Sequence, residues 1–269
     1  MKAPAFGYER AHSVEEALLF YASGDEDAKY LAGGQSLGPL LNLRLARPSM
    51  LIDVRSIDEL RECTQTPDGL VIGAGVTHAA IEDGAVPGPV GAFLAVIAHG
   101  IAYRAVRNRG TLGGSLAHAD PAADWVSTMA LLDAQLDVRG VTGERQVPAE
   151  SLVEGPLATK LAPDELVVSV RLPGWSAAAR FSYYKFNRKP GEFADAIAGF
   201  AYDPERGVCR AVIGATDGAP AVIADALELL AAAEASEAAV TAAGFEPGSF
   251  EHHVHAVALR RARDRLIAR

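Results

Sequence analysis

The sequence predicts an α+β fold in three parts: two small α/β units, then a C-terminal unit of three antiparallel strands with helices. Three observations carry that expectation. Helix and strand signals alternate over residues 1–55, and they alternate again over 56–174. Across 175–269, strands come first and helices after, the order expected when helices pack on one face of an antiparallel sheet.

The first unit opens with a helix. Ser13 followed three residues later by Glu16 is a capping-box pattern, and Val14, Ala17, Leu18 and Tyr21 give the apolar stripe, with Gly24 as the stop. Lys29 to Ala32 reads as a short strand running into Gly33-Gly34. Leu40 to Ala46 follows as a second helix, and Met50 to Val54 as the closing strand.

The second unit starts near Ser56. Leu70 to Gly75 reads as a strand, Val90 to Ala98 as a buried helix, and the run after Pro121 through Asp124, Trp125 and Met129 as another helix. Gln135 to Arg139 alternates as a strand should, and Glu165 to Leu172 is a strong strand ended by Pro173-Gly174, which marks the boundary to the last unit. There, Phe181 to Asn187, Ala194 to Tyr202 and Val208 to Ala215 read as strands. Val222 to Ala233, in an alanine-rich stretch, and His255 to Ile267 read as helices.

Composition narrows the function classes. The chain has 269 residues, 49% hydrophobic and 22% charged, with a net charge of -9. A globular core is expected, and neither nucleic acid nor an anionic membrane surface is the expected partner of so acidic a chain. The two cysteines, Cys63 and Cys209, lie far apart and outside any CxxC pair. That argues against a disulfide framework and a structural zinc site, and an iron–sulfur cluster needs about four thiolates. No apolar run reaches about 18 residues, and the N-terminal segment lacks a signal-peptide core, so no membrane span and a cytoplasmic location are expected.

Two segments carry chemistry. Ala32-Gly33-Gly34-Gln35-Ser36 follows a strand, and Thr111-Leu112-Gly113-Gly114-Ser115 precedes Ala119-Asp120-Pro121-Ala122-Ala123-Asp124. Paired glycines let backbone N–H groups converge on a pyrophosphate without a Cβ in the way. Gln35, Ser36, Thr111 and Ser115 add side-chain donors, and Asp124 is an acceptor for a ribose hydroxyl. Either glycine pair alone reads equally well as a turn; two such loops, each flanked by hydroxyl or amide side chains, favour a cofactor. Neither is a GxGxxG dinucleotide fingerprint, and no GxxxxGK[ST] is present.

The run NRGTLGGSLAHADPAADW at residues 108–125 resembles the FAD-binding, medium-size subunit of molybdenum hydroxylases, the carbon monoxide dehydrogenase and xanthine dehydrogenase type. AGGQSL resembles the first pyrophosphate loop of that family and TLGGS the second. YYKFNRKPGEFADAIAGFA resembles its KxxRRxxDFA segment, and RAVIGATDGAP the strand and turn that follow. The resemblance implies a vanillyl-alcohol-oxidase-type fold holding FAD between its first two parts. It implies that Ala32, Gly33, Gly34, Gln35, Ser36 and Leu37, with Thr111, Leu112, Gly113, Gly114 and Ser115, hold the pyrophosphate, and that Asp124 binds the ribose. Lys185 aligns with a lysine near the isoalloxazine, and Ile101 and Val167 with apolar cofactor contacts. Lys189 and Glu192 depart from the family's second Arg and Asp.

The same resemblance implies partners: a large molybdopterin-binding subunit and a small subunit with two 2Fe–2S clusters, assembled as a dimer of heterotrimers. This chain would then relay electrons through FAD to NAD or another acceptor and contain no substrate-oxidising residues. A stand-alone flavin oxidoreductase of the same superfamily and a cofactor-free interaction subunit are the rivals. Elsewhere the plain readings hold. His252, His253 and His255 read as a solvated helix start rather than a metal site, and His118 as a residue lining the second loop. Arg260, Arg261, Arg263 and Arg265 read as a solvated or docking face, and Tyr183 and Tyr184 as one core and one surface residue, with one of them a candidate to lie near the flavin.

Overall fold

A computed structural model describes residues 2–24 and 27–268. Its first part contains β1 (Gly7–Arg10), α1 (Val14–Ser23), β2 (Lys29–Leu31), α2 (Leu37–Asn42) and β3 (Met50–Asp53), with a parallel sheet in the order β1-β3-β2. The capping box forms: Ser13 Oγ accepts the Glu16 N–H at 3.1 Å, and the Glu16 carboxylate accepts the His12 N–H at 2.7 Å. Strand β1 was not expected, because all four of its residues are exposed and leave no apolar alternation to read. Helix α2 begins three residues before the expected Leu40. Pro39 is tolerated there because the first helical turn has no intrahelical use for its missing N–H.

The second part runs β4 (Cys63–Thr66), β5 (Gly69–Gly73), α3 (His78–Glu82), α4 (Gly88–His99), α5 (Arg104–Arg107), α6 (Leu112–His118), α7 (Asp124–Leu131), β6 (Gln135–Gly140), β7 (Gly143–Pro148), β8 (Val153–Gly155), β9 (Ala158–Thr159) and β10 (Leu166–Pro173). Five of these strands form an antiparallel sheet in the order β4-β5-β10-β6-β7. The apolar run of β10 follows from burial on both faces. Val168 packs with Ile52 and Leu60, while Val167 and Val170 pack with Leu112, Leu116 and Trp125.

The third part holds β11 (Arg180–Phe186), β12 (Ala196–Asp203), β13 (Val208–Gly214), β14 (Ala221–Ile223), α8 (Leu227–Ala231), α9 (Ala235–Ala242) and α10 (Phe250–Ile267). The antiparallel sheet has four strands, β11-β12-β13-β14, not three. Val222, expected in a helix, pairs with Val212 on β13 instead, and only Leu227–Ala231 of the expected helix Val222 to Ala233 is helical. Edge pairing of the β-branched Val222 and Ile223 after Pro220 overrides the local alanine propensity. Helices cover both faces of this sheet, where one had been expected. Phe200, Ala211 and Ile213 pack toward Leu259 of α10, and Phe181, Ala201 and Val212 join the core that contains α4 and α7.

Helix α10 starts at Phe250, with Ser249 Oγ accepting the His252 N–H at 3.0 Å, so the histidine run lies inside the helix. His252 and His255 are buried rather than solvated, and His255 Nε2 approaches the Gly214 carbonyl at 3.0 Å. The arginines of α10 are intrachain ties. Arg260 pairs with Glu237, Arg263 donates to the Leu230 carbonyl, and Arg265 donates to the Tyr183 carbonyl and covers the Tyr184 ring. Both tyrosines are partly buried: Tyr183 packs toward the α7 core and Tyr184 toward the α10 core. Among the described residues, no helix is long and apolar enough to cross a membrane.

Candidate flavin site

Both glycine loops follow from local strand and turn chemistry. Beyond β5 the chain turns through residues 74–75, and Thr77, just before α3, bridges antiparallel to Thr111 of the segment 110–113. His78 N–H donates to the Gly110 carbonyl at 2.9 Å, Leu112 N–H to Val76 at 3.0 Å and Gly113 N–H to Ala74 at 2.8 Å. Thr111 caps α6, its Oγ1 accepting the Gly114 N–H at 3.1 Å. A Cβ on Gly113 would lie 2.4 Å from the Ala74 Cβ, so the backbones touch here only because the residue is glycine.

The first loop meets the second directly. A Cβ on Gly33 would fall 2.1 Å from the Arg109 carbonyl oxygen, and one on Gly114 would fall 3.8 Å from the Ala32 Cβ. Two segments almost eighty residues apart in sequence (Ala32–Leu37 and Thr111–Ser115) are therefore one surface.

The backbone N–H groups of the two loops differ in what they engage. In the second, the N–H groups of Leu112, Gly113, Gly114 and Ser115 all donate within the chain. In the first, none of the five N–H groups from Gly33 to Leu37 donates to a described residue, although Gly33 is buried. Gln35 Nε2 turns back to the Gly33 carbonyl at 3.2 Å, and Ser36 makes no side-chain cap. A run of uncommitted N–H groups at a glycine turn, one of them buried, is a cradle for an anionic group, and FAD's pyrophosphate fits it.

Asp124 and Lys185, selected for separate reasons, are partners. Lys185 Nζ lies 2.7 Å from Asp124 Oδ2, and Tyr183 Oη donates to Oδ1 at 2.8 Å. Asp124 is on α7 and the other two are on β11, so the trio joins the second sheet's helices to the third sheet. Burial lifts the Asp124 carboxyl above the usual carboxylate range against the pull of Lys185, and burial next to Asp124 pushes the Tyr183 phenol far up. Sequence reading left Tyr183 as only one of two candidates near the flavin. The signal was its spacing of two from Lys185, which puts both on one side of a strand.

Ile101 is half-buried against the main core. It is held from behind by Arg107, whose Nη1 donates to the carbonyls of Ile101 and Ala102 at 2.9 and 3.0 Å. Arg107 also forms a two-point pair with Glu82, Nε to Oε2 at 2.7 Å and Nη2 to Oε1 at 3.0 Å. These contacts, with those of His99 and Arg104, hold the Glu82 carboxyl down at about 2. Ile101 bridges to Gly191, and the Ala102 N–H donates to the Gly191 carbonyl at 3.1 Å, so this turn reaches the segment that follows Lys185. There Arg188 and Glu192 form a loose pair at 3.9 Å. Val167 is a core residue beneath α6, buried with Leu112 and Leu116.

His78 was not singled out in the sequence, yet it lies under the second loop. Its Nδ1 accepts the Trp125 indole N–H at 3.0 Å, and its ring fills the space a Cβ on Gly110 would need, 2.7 Å from Nε2. Burial, aided by the charge of Arg107, lowers its pKa to about 4, so the ring is neutral. Among the described residues, no group of three or more His, Cys, Asp or Glu side chains could hold a metal ion.

Comparison with known proteins shows the family and the fold. Residues 4–175 match the family described as the FAD binding domain in molybdopterin dehydrogenase. The chain is 39% identical over 194 residues to the 6-hydroxypseudooxynicotine dehydrogenase complex subunit alpha of Paenarthrobacter nicotinovorans, spanning 72% of this chain and 66% of that relative's length. It is 33% identical to the carbon monoxide dehydrogenase medium chain of Afipia carboxidovorans, spanning 98% of each. Among solved structures, a chain of the reconstituted CO dehydrogenase from Oligotropha carboxidovorans superposes with a TM-score of 0.88 at 29% identity, covering 100% of both chains. A chain of quinoline 2-oxidoreductase from Pseudomonas putida 86 does so with 0.84 at 33% identity, covering 100% of this chain and 97% of that one. The protein belongs to the family of FAD-binding domains of molybdopterin dehydrogenases, as a relative of the medium subunits of molybdenum hydroxylases.

Proposed function

We propose that this chain is the flavin-carrying electron-transfer subunit of a heterotrimeric molybdenum hydroxylase. It would take electrons from two 2Fe–2S clusters of a small partner, fed by a large molybdopterin-binding partner, and deliver them to NAD or another acceptor. The observation that carries this reading is the contact of the two glycine loops beside five uncommitted N–H groups. Full-length matches to carbon monoxide dehydrogenase chains support it.

FAD, when bound, supplies the two-electron chemistry. The chain's own residues bind and orient it. Ala32 to Leu37 would hold the pyrophosphate through backbone N–H groups, with the hydroxyls of Ser36, Thr111 and Ser115 beside them. Gly113 and Gly114 let the second loop approach. Asp124 would accept a ribose hydroxyl, Lys185 would stand near the isoalloxazine, and Ile101 and Val167 would supply apolar walls. We assign the parts as 1–55, 56–174 and 175–269 in a vanillyl-alcohol-oxidase-type arrangement, with the assembly a dimer of heterotrimers.

An absorption spectrum before and after heat release of the cofactor tests the binding role, and co-purification of flavin, molybdenum and iron tests the assembly. Flavin without either metal in the native complex would refute the relay role. No flavin, even after reconstitution with FAD, would refute the site.

A further inference from the structure

We propose that Asp124 acts on the bound flavin through Lys185. The carboxylate fixes the ammonium in place and offsets its charge, so the site presents a neutral ion pair rather than a lone cation. The inference rests on the FAD reading above and concerns how that site is tuned, whatever hydroxyl Asp124 also accepts.

The geometry supports this in three ways. Both carboxylate oxygens are engaged from one strand, Oδ1 by Tyr183 Oη at 2.8 Å and Oδ2 by Lys185 Nζ at 2.7 Å. The side chains of Lys185 and Asp124 are only 12% and 5% exposed, so solvent screens the pair little. Asp124 is the one hydrogen-bonding partner of Lys185 Nζ among the described residues, and an ammonium carries three N–H donors. The carboxylate therefore anchors one donor and leaves two for a neighbouring ring. Tyr183 completes the arrangement. Its hydroxyl occupies the other oxygen, keeping the carboxylate turned toward β11.

The test is the midpoint potential of FAD reconstituted into the full chain, read by spectroelectrochemical titration. Asp124→Asn leaves a buried ammonium without its counter-charge. It should favour reduced over oxidised flavin by about tenfold, about 30 mV for a two-electron couple. Lys185→Gln should shift the potential the opposite way, Lys185→Arg should hold it near wild type, and the double variant Asp124→Asn/Lys185→Gln should return toward wild type. Opposite signs with recovery in the double variant are not produced by simple distortion of the fold. If Asp124→Asn weakens oxidised and reduced FAD equally and leaves the midpoint unmoved, its role is confined to the ribose and the proposal fails. Single variants that shift in the same direction overturn it as well. Should Asp124→Asn not fold, a midpoint equal in Lys185→Gln and Lys185→Arg overturns it, and a fall in the first alone supports it. A wild-type chain that takes up no FAD refutes the underlying cofactor reading instead, a result distinct from flavin bound with unmoved midpoints.

Discussion

Gly33 and Arg109 meet backbone to backbone: a Cβ at Gly33 would stand 2.1 Å from the carbonyl oxygen of Arg109. The contact joins the loop with uncommitted N–H groups to the loop that α6 grows from.

Gly33→Ala must push the loops apart, since no flexible side chain is available to yield. Retained FAD should weaken at least tenfold, about 1.4 kcal/mol. Gly38→Ala is the control, because nothing lies within 4 Å of its Cβ position. Flavin-to-protein ratios after gel filtration, backed by fluorescence titration, read the difference. A Gly33→Ala protein with full flavin content would mean that the two loops do not hold the cofactor jointly.

Arg107 uses four of its five N–H donors on Glu82 and on the carbonyls of Ile101 and Ala102. Its side chain is 9% exposed. Arg107→Met leaves Glu82 with only His99 and Arg104 as partners and removes the donor to two carbonyls, and should cost about 1–3 kcal/mol in urea unfolding. Arg107→Lys keeps the charge but not the fork, and should recover less than half of that. A loss below about 1 kcal/mol for Arg107→Met would show that water replaces these contacts readily.

The legible parts of this chain were those whose cause is local. The Ser13–Glu16 cap, the apolar run of β10 and the glycine pairs each declare themselves within a few residues. Asp124 and Lys185 were legible as individual residues of interest, but their pairing was not, because it depends on how α7 lies against β11 across 61 positions of sequence. Strand β1 stayed hidden for a different reason: an exposed edge has no burial pattern. His78 was missed because a histidine at the start of a short helix looks ordinary. Its role arises from Trp125 and from the bare Cα of Gly110, both distant in sequence. The alanine-rich stretch near Val222 misled because strand pairing with β13 outweighed propensity.

Leu157 holds a left-handed backbone, φ 60°, while 59% exposed. A non-glycine residue in that region costs roughly 1–2 kcal/mol, and glycine's looser unfolded chain gives back about 0.5–1 kcal/mol. Leu157→Gly should therefore gain up to about 1 kcal/mol, since little burial is lost. Thermal unfolding checks the sign. A lower Tm would show that the Leu157 side chain contributes packing that outweighs its strain.

His78 should make stability fall with acid. Its Nδ1 accepts from Trp125, so the neutral ring carries its proton on Nε2, and burial lowers its pKa to about 4. The unfolded chain protonates this group near its ordinary value of about 6.5. Between those two values the unfolded state binds more protons than the folded one, so stability rises with pH across the window. The contribution is complete above pH of about 6.5 and is lost as pH falls toward 4, amounting to about 3 kcal/mol at the acid end. His78→Gln removes the titration while leaving a side-chain acceptor for the indole N–H. Urea unfolding at pH 7.5 and 4.5 should then show a smaller pH-dependent loss in the variant than in the wild type. Equal losses in the two proteins would mean that folding does not hold the His78 ring neutral, and that the second glycine loop rests on a charged imidazole instead.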